Sequence, residues 1–207
     1  MIQPDLIVQD ALRKTLLDIH ANTALLDDVF AERPDSERLE IRDYLGAHEI
    51  PVKLGYPRDA GELPGLYCLL GSGREVNQTI GSRFAEGKQG EMWWEKVGTF
   101  MQVNLRVACW TLNANLTVWL ANIALWGLLR EREALNEQDL VEQQLSMSDF
   151  EPLPQWFPDF AYRRDIMLAA NYTATVHVTI PPLREIEVTG TMDDIDDDKR
   201  VVVARLK

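Results

Sequence analysis

YRRDIMLAANYTATVHVTI, Tyr162–Ile180, is the stretch whose reading decides the fold. From Leu168 the even positions are Leu168, Ala170, Tyr172, Ala174, Val176, Val178 and Ile180, and the odd ones are Ala169, Asn171, Thr173, Thr175, His177 and Thr179. A period of two held over 13 residues predicts one long strand with an apolar and a polar face. Strands usually run about 3–10 residues, so this one is long. On this pattern Val176 belongs to the covered face and Thr175 to the face shown to water, a lumen or a partner chain.

Working back from that strand, alternation also holds from Phe100. Met101, Val103, Leu105, Val107 and Cys109 share one face, and Gln102, Asn104, Arg106 and Ala108 share the other. At Asn113 the period changes to helical spacing, carried by Leu116, Trp119, Leu120, Ile123, Leu125, Trp126 and Leu129 up to about Leu135, with Asn113 or Asn115 as cap. Between Arg106 and Arg130 lie 23 residues without a charge, about the length that spans a bilayer. Thr111, Asn113, Asn115, Thr117 and Asn122 interrupt the run, so a strand feeding a buried helix is the reading.

Toward the amino terminus, residues 5–30 read as an amphipathic helix or helix pair through Leu12, Leu16, Ile19 and Thr23, with Leu17 and Leu26 beside them. Residues 31–64, broken by Pro34, Pro51, Pro57 and Pro64, read as a long loop arm holding at most a short helix near Ser36 to Tyr44. Leu66–Leu70 reads as a short strand ending in a turn at Gly71-Ser72-Gly73. Residues 138–150 read as a further strand, followed by a turn through Pro152, Pro154 and Pro158. The carboxy terminus suggests a hairpin, Ile186–Met192 against Val201–Leu206.

The chain has 207 residues, 46% of them hydrophobic, enough for one domain or one domain with an appendage. Its net charge of -12 leaves no broad positive footprint and disfavours sequence-independent duplex binding. Cys68 and Cys109 lie in apolar runs and read as reduced core residues of a cytosolic product. The start, MIQPDLIVQD, has neither the basic nor the apolar region of a signal peptide.

No pattern for catalysis, cofactor binding or a resident metal emerges. Gly71-Ser72-Gly73 lacks the rest of a phosphate loop. His20, His48 and His177 are scattered, and the acidic run Asp193–Asp198 lacks the glycine and terminal glutamate of a calcium loop. The candidates that remain are for a subunit interface. Arg163, Arg164 and Asp165 form a charged corner in a chain with 33 acids, open to a phosphate or carboxylate or to acids of the same or a neighbouring subunit, and adjacent Trp93 and Trp94, core plug or interface anchor, are hard to bury in one core.

The order of elements resembles the tail terminator family of tailed bacteriophages. The likeness rests on Ala11–His20 (ALRKTLLDIH), on the strand-to-helix passage Gln102–Arg130, and on Asp159–Asp165 (DFAYRRD) leading into Leu168–Ile180. It implies an α+β fold with a mixed or antiparallel sheet packed by two main helices. Residues 1–182 would form the terminator-like domain, with 31–64 as arm and 183–207 as a hairpin extension. It further implies a virion protein made in the host cytoplasm, without catalytic activity or cofactor, that caps the tail tube as a homohexameric ring. Its partners would be further copies of itself, the tail tube protein, the head-side connector protein and, in a contractile tail, the sheath protein. DNA would cross the lumen without specific binding, and no membrane would be involved. The alternatives are another tail component, such as a baseplate or tube-end protein, or a small α+β ligand-binding protein or enzyme.

Overall fold

A computed structural model describes residues 3–76, 83–89, 92–149, 151–153 and 161–180. Its helices are α1 (Pro4–Ala21), α2 (Leu26–Val29), α3 (Asp35–Ala47), α4 (Ala114–Arg130) and α5 (Arg132–Glu137). Its strands are β1 (Val52–Leu54), β2 (Gly65–Glu75), β3 (Arg83–Gln89), β4 (Met92–Thr111), β5 (Val141–Met147), β6 (Glu151–Leu153) and β7 (Ala161–Ile180). The fold is α+β. The chain divides into two compact units, one of residues 1–80 and 99–174, the other of 81–98 and 175–207.

In the first unit the strand order is β1-β2-β4-β7-β5, with β6 also paired to β7. β1 runs parallel to β2, while β2–β4, β5–β7 and β6–β7 are antiparallel, so the sheet is mixed. The expected faces of β4 hold: Val103, Leu105, Val107 and Cys109 are all at most 1% exposed and join the main core. Leu66 and Cys68 of β2 and Ile166, Leu168 and Ala170 of β7 lie in that same core, with α1 and α4 supplying the helical layer. Burying each such aliphatic side chain contributes about 1.5–3 kcal/mol. α1 and α4 approach most closely where Gly127 meets Thr15: a Cβ there would lie 2.7 Å from the threonine Cγ2. Lys14 to Glu131 (2.6 Å) and Arg130 to Asp18 (2.8 Å) tie the same pair of helices.

The passage from β4 into α4 shows why a strand can become a helix inside a core. Thr111 and Thr117 are both fully buried, and their hydroxyls meet at 2.8 Å. Asn113 caps α4, its Oδ1 accepting from the backbone N–H of Asn115 (2.8 Å) and Leu116 (3.2 Å). Asn113 N–H donates to Thr111 Oγ1, and Thr117 Oγ1 donates to Asn113 O. The first-turn donors of the helix are thus satisfied locally, as a buried helix start requires.

Four expectations are corrected. The 31–64 arm is not a loop: it contains α3, strand β1 and a 3-10 turn at Ala60–Glu62. α3 begins after Pro34 with no side-chain cap, and the helix buries Ile41 and Leu45. Its exposed faces are carried by ion pairs, Arg42 and Arg38 both meeting Asp27 of α2. Gly71-Ser72-Gly73 is not a turn, because β2 continues to Glu75 through a bulge between Leu70 and Ser72. A Cβ on Gly71 would lie 2.8 Å from Asn104 O, so glycine there lets the β4 backbone approach. The helix after Asn113 breaks at Glu131 before resuming as α5.

The fourth correction concerns Val176, which is 54% exposed and not buried, as is Val178 at 44%. Within the first unit burial along β7 runs to Ala170, and Tyr172 is only partly covered; Val176 and Val178 belong to the second unit.

In the second unit β3 and the first part of β4 form an antiparallel hairpin, with Gly87 opposite Trp94 and Lys88 opposite Trp93. The proposed hairpin of 186–206 and the turn residues Pro154 and Pro158 lie outside the described residues. Among the described residues no helix is long and apolar enough to cross a membrane.

Candidate functional site

The charged corner at the start of β7 becomes a network because alternation sends Arg163 and Asp165 to the face of the sheet opposite the helices. There Ala108 and Trp110 of β4, Tyr67 of β2 and Ala161 form a second, smaller cluster. Tyr67 is fully buried, its hydroxyl donates to Glu62 O (2.8 Å), and burial pushes its pKa up to about 12. The Asp165 side chain is only 5% exposed and lies between two guanidinium groups, Arg163 Nε at 3.2 Å and Arg106 Nε at 3.5 Å. The Arg163 guanidinium also stacks over the Trp110 ring at 5.7 Å. A carboxylate this desolvated persists only with such partners.

Ser148, just past β5, holds the corner in register. Its N–H donates to Asp165 O (2.8 Å), its hydroxyl accepts from Asp165 N–H (3.0 Å), and its carbonyl accepts from Arg164 Nε (3.2 Å). The arginines are consequently not the exposed corner that the sequence suggests: the Arg163 side chain is 20% exposed, and both arginines have partners within the chain.

Beyond this network the same face of the sheet carries amide and hydroxyl side chains, and among the described residues no helix packs on it. Asn104 Nδ2 donates to Ser72 Oγ (3.1 Å), and Arg74 Nε donates to Gln102 Oε1 (2.8 Å), each pair spanning β2 and β4. Asn171 Nδ2 pairs with Glu142 across β7 and β5. A shallow hollow of about 370 Å3 lies among Asn104, Gln144, Ser146 and Met167. Such a surface, polar and with its charges paired to neighbouring strands, is suited to a hydrated contact.

Trp94 is half-buried in the hairpin, its ring lying over Gly87, where a Cβ would come within 2.5 Å of Cζ2. It fills the space its cross-strand glycine leaves. Trp93 is placed by its strand position opposite Lys88, in the second unit, whereas the arginine corner belongs to the first.

Metal and thiol chemistry find no support among the described residues. No group of three or more histidine, cysteine or acidic side chains is placed to hold a metal ion. Cys68 and Cys109 are free and buried, and desolvation pushes the Cys68 thiol up to about 12 and the Cys109 thiol higher still. Thiols so protonated are poor nucleophiles.

What sequence reasoning missed is a cavity formed by α1, the end of α3 and β1, because two of those three elements lie in the stretch read as loop. It measures about 490 Å3 and is lined by Arg13, Leu16, Leu17, Ile19, His20, Leu45 and the 48–53 segment. No family model matches this chain, and no curated protein matches it.

Proposed function

We infer that the chain is a structural protein of a phage tail, the terminator that closes the tail tube as a homohexameric ring and joins it to the head-side connector. The observation that carries the reading is the two-faced sheet. Helices cover one face, no described helix covers the other, which carries amides and hydroxyls beside the Arg106–Asp165–Arg163 network, and β4 and β7 are both 20 residues long. In a ring, that face provides a hydrated wall, and a protomer with net charge -12 repels the passing phosphate backbone instead of retaining it. Arg163 and Arg164 serve this role indirectly, by bracing the corner from which β7 departs.

On this reading the protein has no catalytic activity, works in the virion, and contacts the tube protein, the connector and, in a contractile tail, the sheath. The test is mass in solution with electron images of the purified chain. Six-fold rings that join tubes to heads in an assembly mixture support the reading, and a monomer at assembly concentrations overturns it. The cavity beside α1 favours a second reading, a small-molecule binding protein, for which a monomer with saturable ligand uptake would be the result.

A further inference from the structure

The cavity beside α1 has an aliphatic floor and a polar rim that carries two cations, Arg13 and Lys53. Ile19, Leu45, Ile50 and Val52 form the floor, each at most 6% exposed, while Leu17 on the open side is 61% exposed. Arg13, Lys53, His20 and His48 line the rim, with Glu49 the one acid among the lining residues. Gln9 Nε2 (2.9 Å) and Arg13 Nη2 (3.2 Å) both donate to Val52 O, which blocks the outer edge of β1 against strand addition. An occupant must therefore enter by its side chains.

The rim cations remain open to further carboxylates. Arg13, 52% exposed, has a loose 3.7 Å pair with Asp10, and Lys53, 42% exposed, meets Glu62 at 3.2 Å. Exposed pairs of this kind hold their partners weakly. His20 Nδ1 faces Leu45 O at 3.2 Å and His48 Nδ1 faces Tyr44 O at 2.9 Å. A carbonyl only accepts, so each ring donates from Nδ1 and is held in place by its own chain.

Such a site selects an aliphatic side chain flanked by carboxylates. This chain contains a segment of that composition at Met192-Asp193-Asp194-Ile195-Asp196-Asp197-Asp198, outside the described residues: two apolar side chains three positions apart, five acids and no cation. We propose that the cavity receives residues 192–198 of a second copy of this chain, with Ile195 against the aliphatic floor and the aspartates on Arg13 and Lys53. The proposal rests on the ring reading, which supplies the neighbouring copy.

The test mixes His48→Cys full chain with Asp194→Cys full chain under mild oxidation and reads disulfide-linked dimers on a non-reducing gel. Cys68 and Cys109 are buried and stay silent. The expected result is a linked dimer in the mixture that is lost when Leu17→Asp is added to the first chain. Ile195→Asp should weaken self-association by roughly tenfold or more, as loss of a central anchor does, with circular dichroism confirming the fold. Intact wild-type rings without the cross-link overturn the proposal and leave the ring reading standing. A link formed only within a single chain carrying both cysteines also overturns it, assigning the segment to its own cavity. A monomeric wild type without any link overturns both.

Discussion

Replacing Asp165 with asparagine should destabilise the fold far more than any change at an exposed acid. The carboxylate is 5% exposed and bridges Arg163 at 3.2 Å and Arg106 at 3.5 Å. Each contact has a gross attraction of about 4–5 kcal/mol at an effective dielectric near 20, most of which offsets the desolvation of the charges. Breaking a buried pair typically costs about 3–5 kcal/mol. Here the two arginine side chains, 20% and 36% exposed, recover part of their hydration, which brings the expected loss to about 2–3 kcal/mol. With a urea slope of about 2 kcal/mol per molar, the midpoint should fall by about 1 M. The control is Asp10→Asn, whose carboxylate is 73% exposed and 3.7 Å from Arg13, where a loss under about 0.5 kcal/mol is expected. Equal midpoint shifts for the two variants would refute the argument and return Arg163 and Arg106 to the role of free surface cations.

Four further outcomes follow from the packing. Gly127→Ala should cost about 1–2 kcal/mol, overpacking against Thr15 outweighing the gain in helix propensity, and adding Thr15→Ala should restore the stability lost; calorimetry reads both. Asn113→Ala removes the cap of α4 and should cost about 1 kcal/mol in chemical denaturation, with no recovery in Asn113→Thr taken as evidence against the cap. Val176→Asp should shift the melting temperature little and Val107→Asp severely, since the first is 54% exposed and the second fully buried; similar shifts would contradict that difference in burial. Cys68, with its thiol pushed up to about 12, should be on the order of one part in ten thousand thiolate at pH 8 and resist iodoacetamide until urea unfolds the chain, whereas rapid native labelling would contradict its burial.

The local periods were legible in the residues themselves. The alternation in 100–110 and 168–180, the change of period at Asn113, the cap it forms and the leading amphipathic helix all depend on neighbours within a few positions. α3 was legible only as a short helix near 36–44, because its buried stripe is only Ile41 and Leu45 and the rest of its support comes from Asp27 of α2 and from Trp119 Nε1 donating to Glu37 Oε1. The cavity beside α1 was lost with the rest of the stretch read as loop. The bulge at Gly71 required knowing that Asn104 lies opposite. Tertiary structure alone decided where burial stops along β7, since period two marks faces but not which residues of a face are covered. It also decided that Arg163 answers to Asp165 and Trp110, for a charge written in sequence does not say which groups, 53 residues away on β4 or two away on its own strand, will share its loss of water.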